Sequence, residues 1–284
     1  MANMRMVPWL ESQKGIFAGL TIEFFAGRGQ INKNTAEVQI ELVQSAIDSL
    51  IPGYEMKSLA WLPTGKKKGI VGPFDRVGWN WQRKGISRGQ YRKHAAVAWR
   101  GTDQQDFFLI ATERTDAADS IRISTSLRYA NELCQDEEQV EKLVQIARNA
   151  WAHLKIRYGY GSLGVTDEGA QQPSAQRAID DWGDQSKITL ANVTPELNEQ
   201  IARDFAKKVK GAYWLNLLSD AHVKAVGGIE KIDETLPEDI RIEEFKNGGV
   251  LIQLAPTPDV ENSMDNQGKF VYLSKLLAPI VAQP

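Results

Sequence analysis

The stretch from Gly211 to Gly228, GAYWLNLLSDAHVKAVGG, constrains the fold of this chain more than any other. Ala212 to Leu218 is an apolar, aromatic run of strand length, which predicts a buried strand. Ser219 then offers a side chain suited to a helix N-terminus, and Asp220 adds negative charge to the first turn. His222 to Val226 is the expected short helix. Gly227 and Gly228 end it, because glycine accepts the left-handed conformation that closes a helix. The unit is therefore strand, cap, short helix and double-glycine stop. It is a structural motif without catalytic chemistry.

Similar patterns run along the chain. Leu20 to Ala26 and Met56 to Leu62 are expected strands, and Thr35 is the expected cap of a helix reaching about Ile51. In that helix Val38, Leu42, Val43, Ala46, Ile47 and Leu50 form an apolar stripe. His94 to Trp99, Asp106 to Thr112 and Ser120 to Leu127 are strand-like segments joined by short polar turns, as in an antiparallel meander. A helix opens at Asp136-Glu137-Glu138 and buries Val140, Leu143, Val144, Ala147, Ala150 and Trp151. Ile188 to Val193 is an expected strand, and Thr194-Pro195-Glu196 opens a helix to about Lys208. Gly249 to Leu254 is an apolar strand, and Lys269 to Leu277 a final helix. The expected fold class is α+β: two associated lobes, mainly antiparallel sheets packed with helices. The lobes are residues 1–165 and 187–284, joined by a polar linker at 166–186.

Composition narrows the function. A length of 284 residues is ample for a core, and 42% hydrophobic with 25% charged residues is globular. A net charge of −2 does not mark a general polyanion binder. A single cysteine, Cys134, excludes an intrachain disulfide and a cysteine-based zinc cluster, and fits a reducing compartment. Arg5, Glu11 and Lys14 interrupt any signal-peptide core, and no apolar run is long enough to span a membrane. The expected location is the cytoplasm.

The chemical motifs are weak. Gly159, Gly161 and Gly164 spell G-x-G-x-x-G, but a helix precedes them and a Gln- and Pro-containing loop follows, the wrong context for a dinucleotide. Ser162 lacks the glycine two residues before it that a nucleophile elbow needs. His94, His153 and His222 are scattered without ligand spacing. No catalytic, cofactor-binding or metal-binding residue is assigned, and no cofactor is expected.

Two charged stretches remain. Residues 63–93 are basic and are expected to be a long irregular loop. Trp79, Trp81 and Arg83 lie within it, among Lys66, Lys67, Lys68, Arg76, Lys84, Arg88, Arg92 and Lys93. It reads either as a phosphate-tracking, base-stacking surface over 66–93 or as a solvated loop whose tryptophans fold onto the core. The second is preferred, because the chain is slightly acidic and shows no nucleic-acid motif. Residues 229–242 are expected to be acidic and irregular. Glu230, Asp233, Glu234, Glu238, Asp239, Glu243 and Glu244 make a carboxylate-rich surface that could dock on a cationic protein, or simply be solvated. A hydrolase with a site assembled in space is a third alternative.

The second half resembles the type VI secretion immunity family, bacterial proteins that neutralise a cognate effector toxin. The resemblance rests on Tyr213-Trp214-Leu215, Leu217-Leu218-Ser219 and Val226-Gly227-Gly228. It continues through Asn247-Gly248-Gly249-Val250-Leu251-Ile252-Gln253-Leu254, with Pro256 and Pro258, and ends with Tyr272 and Leu276 to Pro279. Trp151 and Tyr158-Gly159-Tyr160 also fit. Pro258-Asp259-Val260-Glu261-Asn262 lacks a glycine that the family pattern carries after the late strand. The resemblance implies a non-enzymatic protein whose partner is a cognate effector toxin acting in the cytosol. It brings no catalytic residue. The candidate toxin contacts are the seven carboxylates above together with Trp79, Trp81 and Arg83.

Overall fold

The structure is a computed structural model that describes residues 17–66, 68–114, 118–166, 204–258 and 267–282. Its centre is one ten-stranded sheet. The strands are β1 (Phe17–Ala26), β2 (Tyr54–Pro63), β3 (Ile70–Pro73), β4 (Tyr91–Arg100), β5 (Asp103–Arg114), β6 (Asp119–Thr125), β7 (Ile156–Thr166), β8 (Leu215–Leu218), β9 (Arg241–Glu244) and β10 (Val250–Gln253). They lie in the order β3-β2-β4-β5-β6-β1-β7-β8-β10-β9, and each described pairing is antiparallel. The helices are α1 (Ala36–Asp48), α2 (Arg76–Ser87), α3 (Leu127–Leu133), α4 (Glu137–His153), α5 (Asp220–Ala225), α6 (Ile229–Thr235) and α7 (Gln267–Leu277). This is the expected α+β class.

Strand alternation places Leu20, Ile22 and Phe24 of β1 fully buried on one face. Leu42, Val43 and Ala46 of α1 and Val140, Leu143, Val144, Ala147 and Ala150 of α4 bury their stripes in the same core. Asp136 caps α4 by accepting from the backbone N–H groups of Glu138 and Gln139. Thr35 stands at the N-cap of α1 without a side-chain capping bond.

The glycine-rich stretch is β7, in the interior of the sheet between β1 and β8. A Cβ at Gly159 would stand 2.9 Å from Phe24, and one at Gly161 would stand 3.0 Å from the Leu215 Cβ. These glycines admit close neighbours within the sheet. Tyr158 and Tyr160, on the alternate face, stack on each other and on Phe25.

Pairing of β7 with β8 joins the sequence before residue 166 to that after 204: Tyr158 lies opposite Leu218, and Gly161 opposite Leu215. A second join is made by the turn between β9 and β10. Trp151 Nε1 donates to the Gly248 carbonyl at 2.9 Å, Asn247 donates to the Trp151 carbonyl at 3.0 Å, and the Trp151 and Phe245 rings stack 4.8 Å apart. Gly249 has a φ of 89°, and a Cβ there would lie 2.4 Å from the Leu218 carbonyl oxygen. Asn247-Gly248-Gly249 is therefore a turn that only glycine permits.

Several expectations are corrected. The apolar run 212–218 forms ladder bonds only from Leu215. The short helix runs from Asp220 to Ala225 after the Ser219 cap. The basic stretch 63–93 is not a long irregular loop: it holds β3 and α2. Its glycines concealed the helix, because Gly78 and Gly85 lower intrinsic propensity. Both are needed by packing, since a Cβ at Gly78 would meet the Pro73 carbonyl oxygen at 2.4 Å, and one at Gly85 the Tyr91 ring at 2.0 Å. The acidic stretch is likewise ordered as α6, a turn and β9. These elements are too short to show a period. The expected strand 188–193, and the helix from 194 up to residue 203, lie outside the described residues. So does the expected linker beyond Thr166.

Candidate functional site

Helix α2 packs beside β2 at the β3 edge of the sheet. Asp75 caps it, accepting from the Gly78 N–H at 2.7 Å. The fully buried Gln82 fastens it to the sheet, donating to the carbonyls of Ala60 at 3.3 Å and Ala95 at 3.1 Å. Trp79 turns inward and stacks on Phe74, with 5.8 Å between centroids. Trp81 points the other way. Its ring leans on Trp61 at 5.0 Å but stays 44% exposed, and Val77, one turn earlier, is 75% exposed. Arg76, Arg83, Lys84 and Arg88 are exposed around them, and none has an ion-pair partner among the described residues. No acidic residue occurs between Arg76 and Thr102. Of the expected contacts here, Trp81 and Arg83 are presented to solvent and Trp79 is mostly a packing residue.

The carboxylates collect at the opposite edge, around β9. Glu230, Asp233 and Glu234 lie on α6, Glu238 and Asp239 in the turn that follows, and Glu243 and Glu244 on β9. Several are already engaged. Asp239 pairs with Lys269 of α7 at 2.5 Å, and that hydrogen bond holds its carboxyl below the ordinary aspartate value. Glu243 is gripped by the mostly buried Arg148 at 3.0 Å and by Arg241 at 3.4 Å. Glu234 lies 3.9 Å from Lys231. Glu230, Asp233, Glu238 and Glu244 are exposed and have no cationic partner among the described residues. Val271 and Tyr272 of α7, 49% and 47% exposed, add apolar surface on a helix that packs against α6. The exposure of these two, and of Val77, was not legible beforehand, because exposure of one apolar residue leaves no periodic signal.

The buried Glu23, Lys210, His94 and His222 each have a hydrogen-bond partner. Glu23 accepts from Arg122 at 2.9 Å and from the Tyr160 hydroxyl at 3.0 Å, and Lys210 donates to the same hydroxyl at 3.2 Å. His94 hydrogen-bonds Gln39 at 3.1 Å, and burial, aided by Arg114, pushes its pKa down to about 3. It borders a cavity of about 10 Å³, room for one water. His222 accepts from the Ser219 N–H at 3.2 Å, and burial pushes its pKa down to about 4. No group of three or more His, Cys, Asp or Glu able to hold a metal ion occurs among the described residues. None of their helices is long and apolar enough to cross a membrane.

The two charged ends are separated by the width of the sheet. Nine steps between ten strands, at about 4.8 Å each, put them roughly 40 Å apart. A standard interface of about 800 Å² on each partner covers one end and not both.

A family model described as TsiV, type VI immunity for VRR-NUC, matches residues 57–284. Among solved structures, the Pseudomonas aeruginosa T6SS protein PA0821 is similar, with a TM-score of 0.64 and 16% identity. The alignment covers 94% of this chain and 74% of that one, and it shows a shared fold. No curated protein matches the chain.

Proposed function

The chain belongs to the type VI immunity family whose model it matches, and from that premise we propose that it neutralises a secreted effector carrying a VRR-NUC nuclease domain by binding it. The match over 57–284 carries this reading. It spans β2 through α7 and so includes both charged ends of the sheet. The action is non-enzymatic: one chain occupies one effector and denies it nucleic acid. A nuclease reaches its substrate in the cytosol, which is where the inhibitor would meet it. Tight binding calls for a desolvated aromatic or aliphatic anchor, ringed by charges that speed encounter. Both ends of the sheet offer such surroundings.

The test is co-expression with its cognate VRR-NUC effector. Cells that die with the effector alone are expected to grow when this chain is also made, and the two proteins to co-purify in equal amounts. Continued killing with the chain present at excess would overturn the reading.

A further inference from the structure

We infer that the exposed apolar side of α7, bordered by the carboxylates of α6 and the turn after it, docks in the cationic groove where the effector holds nucleic acid. This rests on the immunity reading above and adds which end of the sheet is used and the chemistry of its counterpart.

Val271 and Tyr272 are exposed, while Leu273, Leu276 and Leu277 of the same helix are in the core. Lys269 fastens α7 in place, pairing with Asp239 at 2.5 Å and donating to the Leu254 carbonyl at 3.3 Å. Tyr272 follows Lys269 by three residues and so shares its side of the helix, toward the turn that carries Glu238 and Asp239. Glu230 and Asp233 are likewise three residues apart on α6, the helix that packs against α7. From Ile229 to Phe245 seven acidic residues stand against two basic ones, Lys231 and Arg241, and both cations are already paired. With Lys246, Lys269 and Lys275 added, the acids still lead seven to five. The surface is therefore a half-exposed tyrosine and valine with an acidic border, and the frame under it is fixed before a partner arrives.

Uncommitted charge does not choose between the ends of the sheet. Arg76, Arg83, Lys84 and Arg88 on α2 are as free as Glu230, Asp233, Glu238 and Glu244. The sign of the charge does choose. A nuclease holds a chain of phosphates, so its substrate groove is lined with cations. Carboxylates on α6 and the following turn offer that groove what phosphates offer it, whereas the cations of α2 are repelled by it. Val271 and Tyr272 add the desolvated anchor that tight protein binding needs and that a phosphate chain lacks. Filling the groove denies nucleic acid directly, by competition for the same cations.

The experiment measures binding kinetics of the purified effector with wild type, E230K/D233K/E238K, V271S/Y272A and, as a control, R76E/R88E, at low and high salt. All these positions are exposed, and circular dichroism with thermal melts verifies folding. The carboxylate variant is expected to bind at least about 30-fold more weakly, mostly through slower association that salt no longer reduces. The apolar variant is expected to lose at least about tenfold through faster dissociation, with the control within about threefold of wild type. An excess of duplex DNA with a nuclease-resistant backbone should block wild-type binding. Near-wild-type affinity in either variant, a larger loss in the control, or a complex holding chain, effector and DNA together overturns this inference and leaves the immunity reading standing. So would a concentration-dependent dimer that V271S/Y272A abolishes while effector affinity is kept, which gives the α7 face to a second copy. Failure of wild type to bind the effector overturns the immunity reading itself.

Discussion

Lys210 Nζ lies 3.7 Å from Glu23 Oε2, and both side chains are buried, at 3% and 4% exposure. The lysine crosses from the segment before β8 onto β1, so this pair ties the two halves of the chain together inside the protein. Burial opposes the charge on Glu23, but Arg122 and then Lys210 outweigh it and hold the carboxyl below its ordinary value. Burial also pulls Lys210 down, to about 8, against the upward pull of Glu23. Lys210→Met is expected to cost about 3 kcal/mol, because a buried carboxylate is left with one cation fewer. The double variant with Glu23→Leu should recover part of that loss. Urea unfolding of the four proteins in a cycle measures the coupling.

The buried histidines make the protein acid-sensitive. His94 and His222 have folded pKa values near 3 and 4, below the unfolded value of 6.5. Between pH 6.5 and about 4 the unfolded chain therefore binds protons that the folded chain does not. Stability falls as pH drops through that window, with a limiting slope of about 1.4 kcal/mol per pH unit for each histidine. Urea midpoints at pH 7, 6 and 5 should decline, and His222→Gln should flatten the decline. A midpoint that holds steady to pH 5 would contradict both assignments.

The glycine turn at 248–249 is expected to tolerate nothing larger. Gly249→Ala combines a left-handed φ with contacts of 2.4 and 2.5 Å to Leu218 and Trp151. A loss of roughly 2–3 kcal/mol is expected. Trp151→Phe keeps most of the packing and loses the bond to the Gly248 carbonyl, for about 1 kcal/mol. Thermal melts distinguish the two costs.

Charge reversals at the β9 end should separate structural from free carboxylates. Glu243→Lys faces Arg148 and Arg241 with a third cation and is expected to lower the melting temperature. Glu230→Lys and Glu238→Lys meet no described partner and should change stability by less than about 0.5 kcal/mol. Equal melting temperatures for all three would contradict the pairing.

The elements that sequence reveals are those with a long period or a strong stop. The stripe Leu42, Val43 and Ala46 and the acidic cap at Asp136 placed their helices, and Gly227-Gly228 placed the end of α5. The α2 helix was hidden because Gly78 and Gly85 answer to Pro73 and Tyr91, residues whose nearness is a tertiary fact. The same holds for the candidate contacts. Sequence grouped Asp239 with Glu238 and Trp79 with Trp81, but Lys269 pairs with Asp239 and not Glu238, and Phe74 covers Trp79 while Trp81 leans on Trp61 and stays 44% exposed. Sequence order also gave no hint that the basic and acidic stretches stand at opposite edges of one sheet. That follows from β1 pairing between β6 and β7, which inserts the first strand into the middle.

The central claim, neutralisation by occupancy, is tested most directly by titrating the purified chain into a DNA-cleavage assay of the VRR-NUC effector. Cleavage is expected to fall linearly and to stop near one chain per effector. Full cleavage at a tenfold excess of the chain would contradict the account, and so would complete loss of activity at a small fraction of one equivalent, the mark of a catalyst.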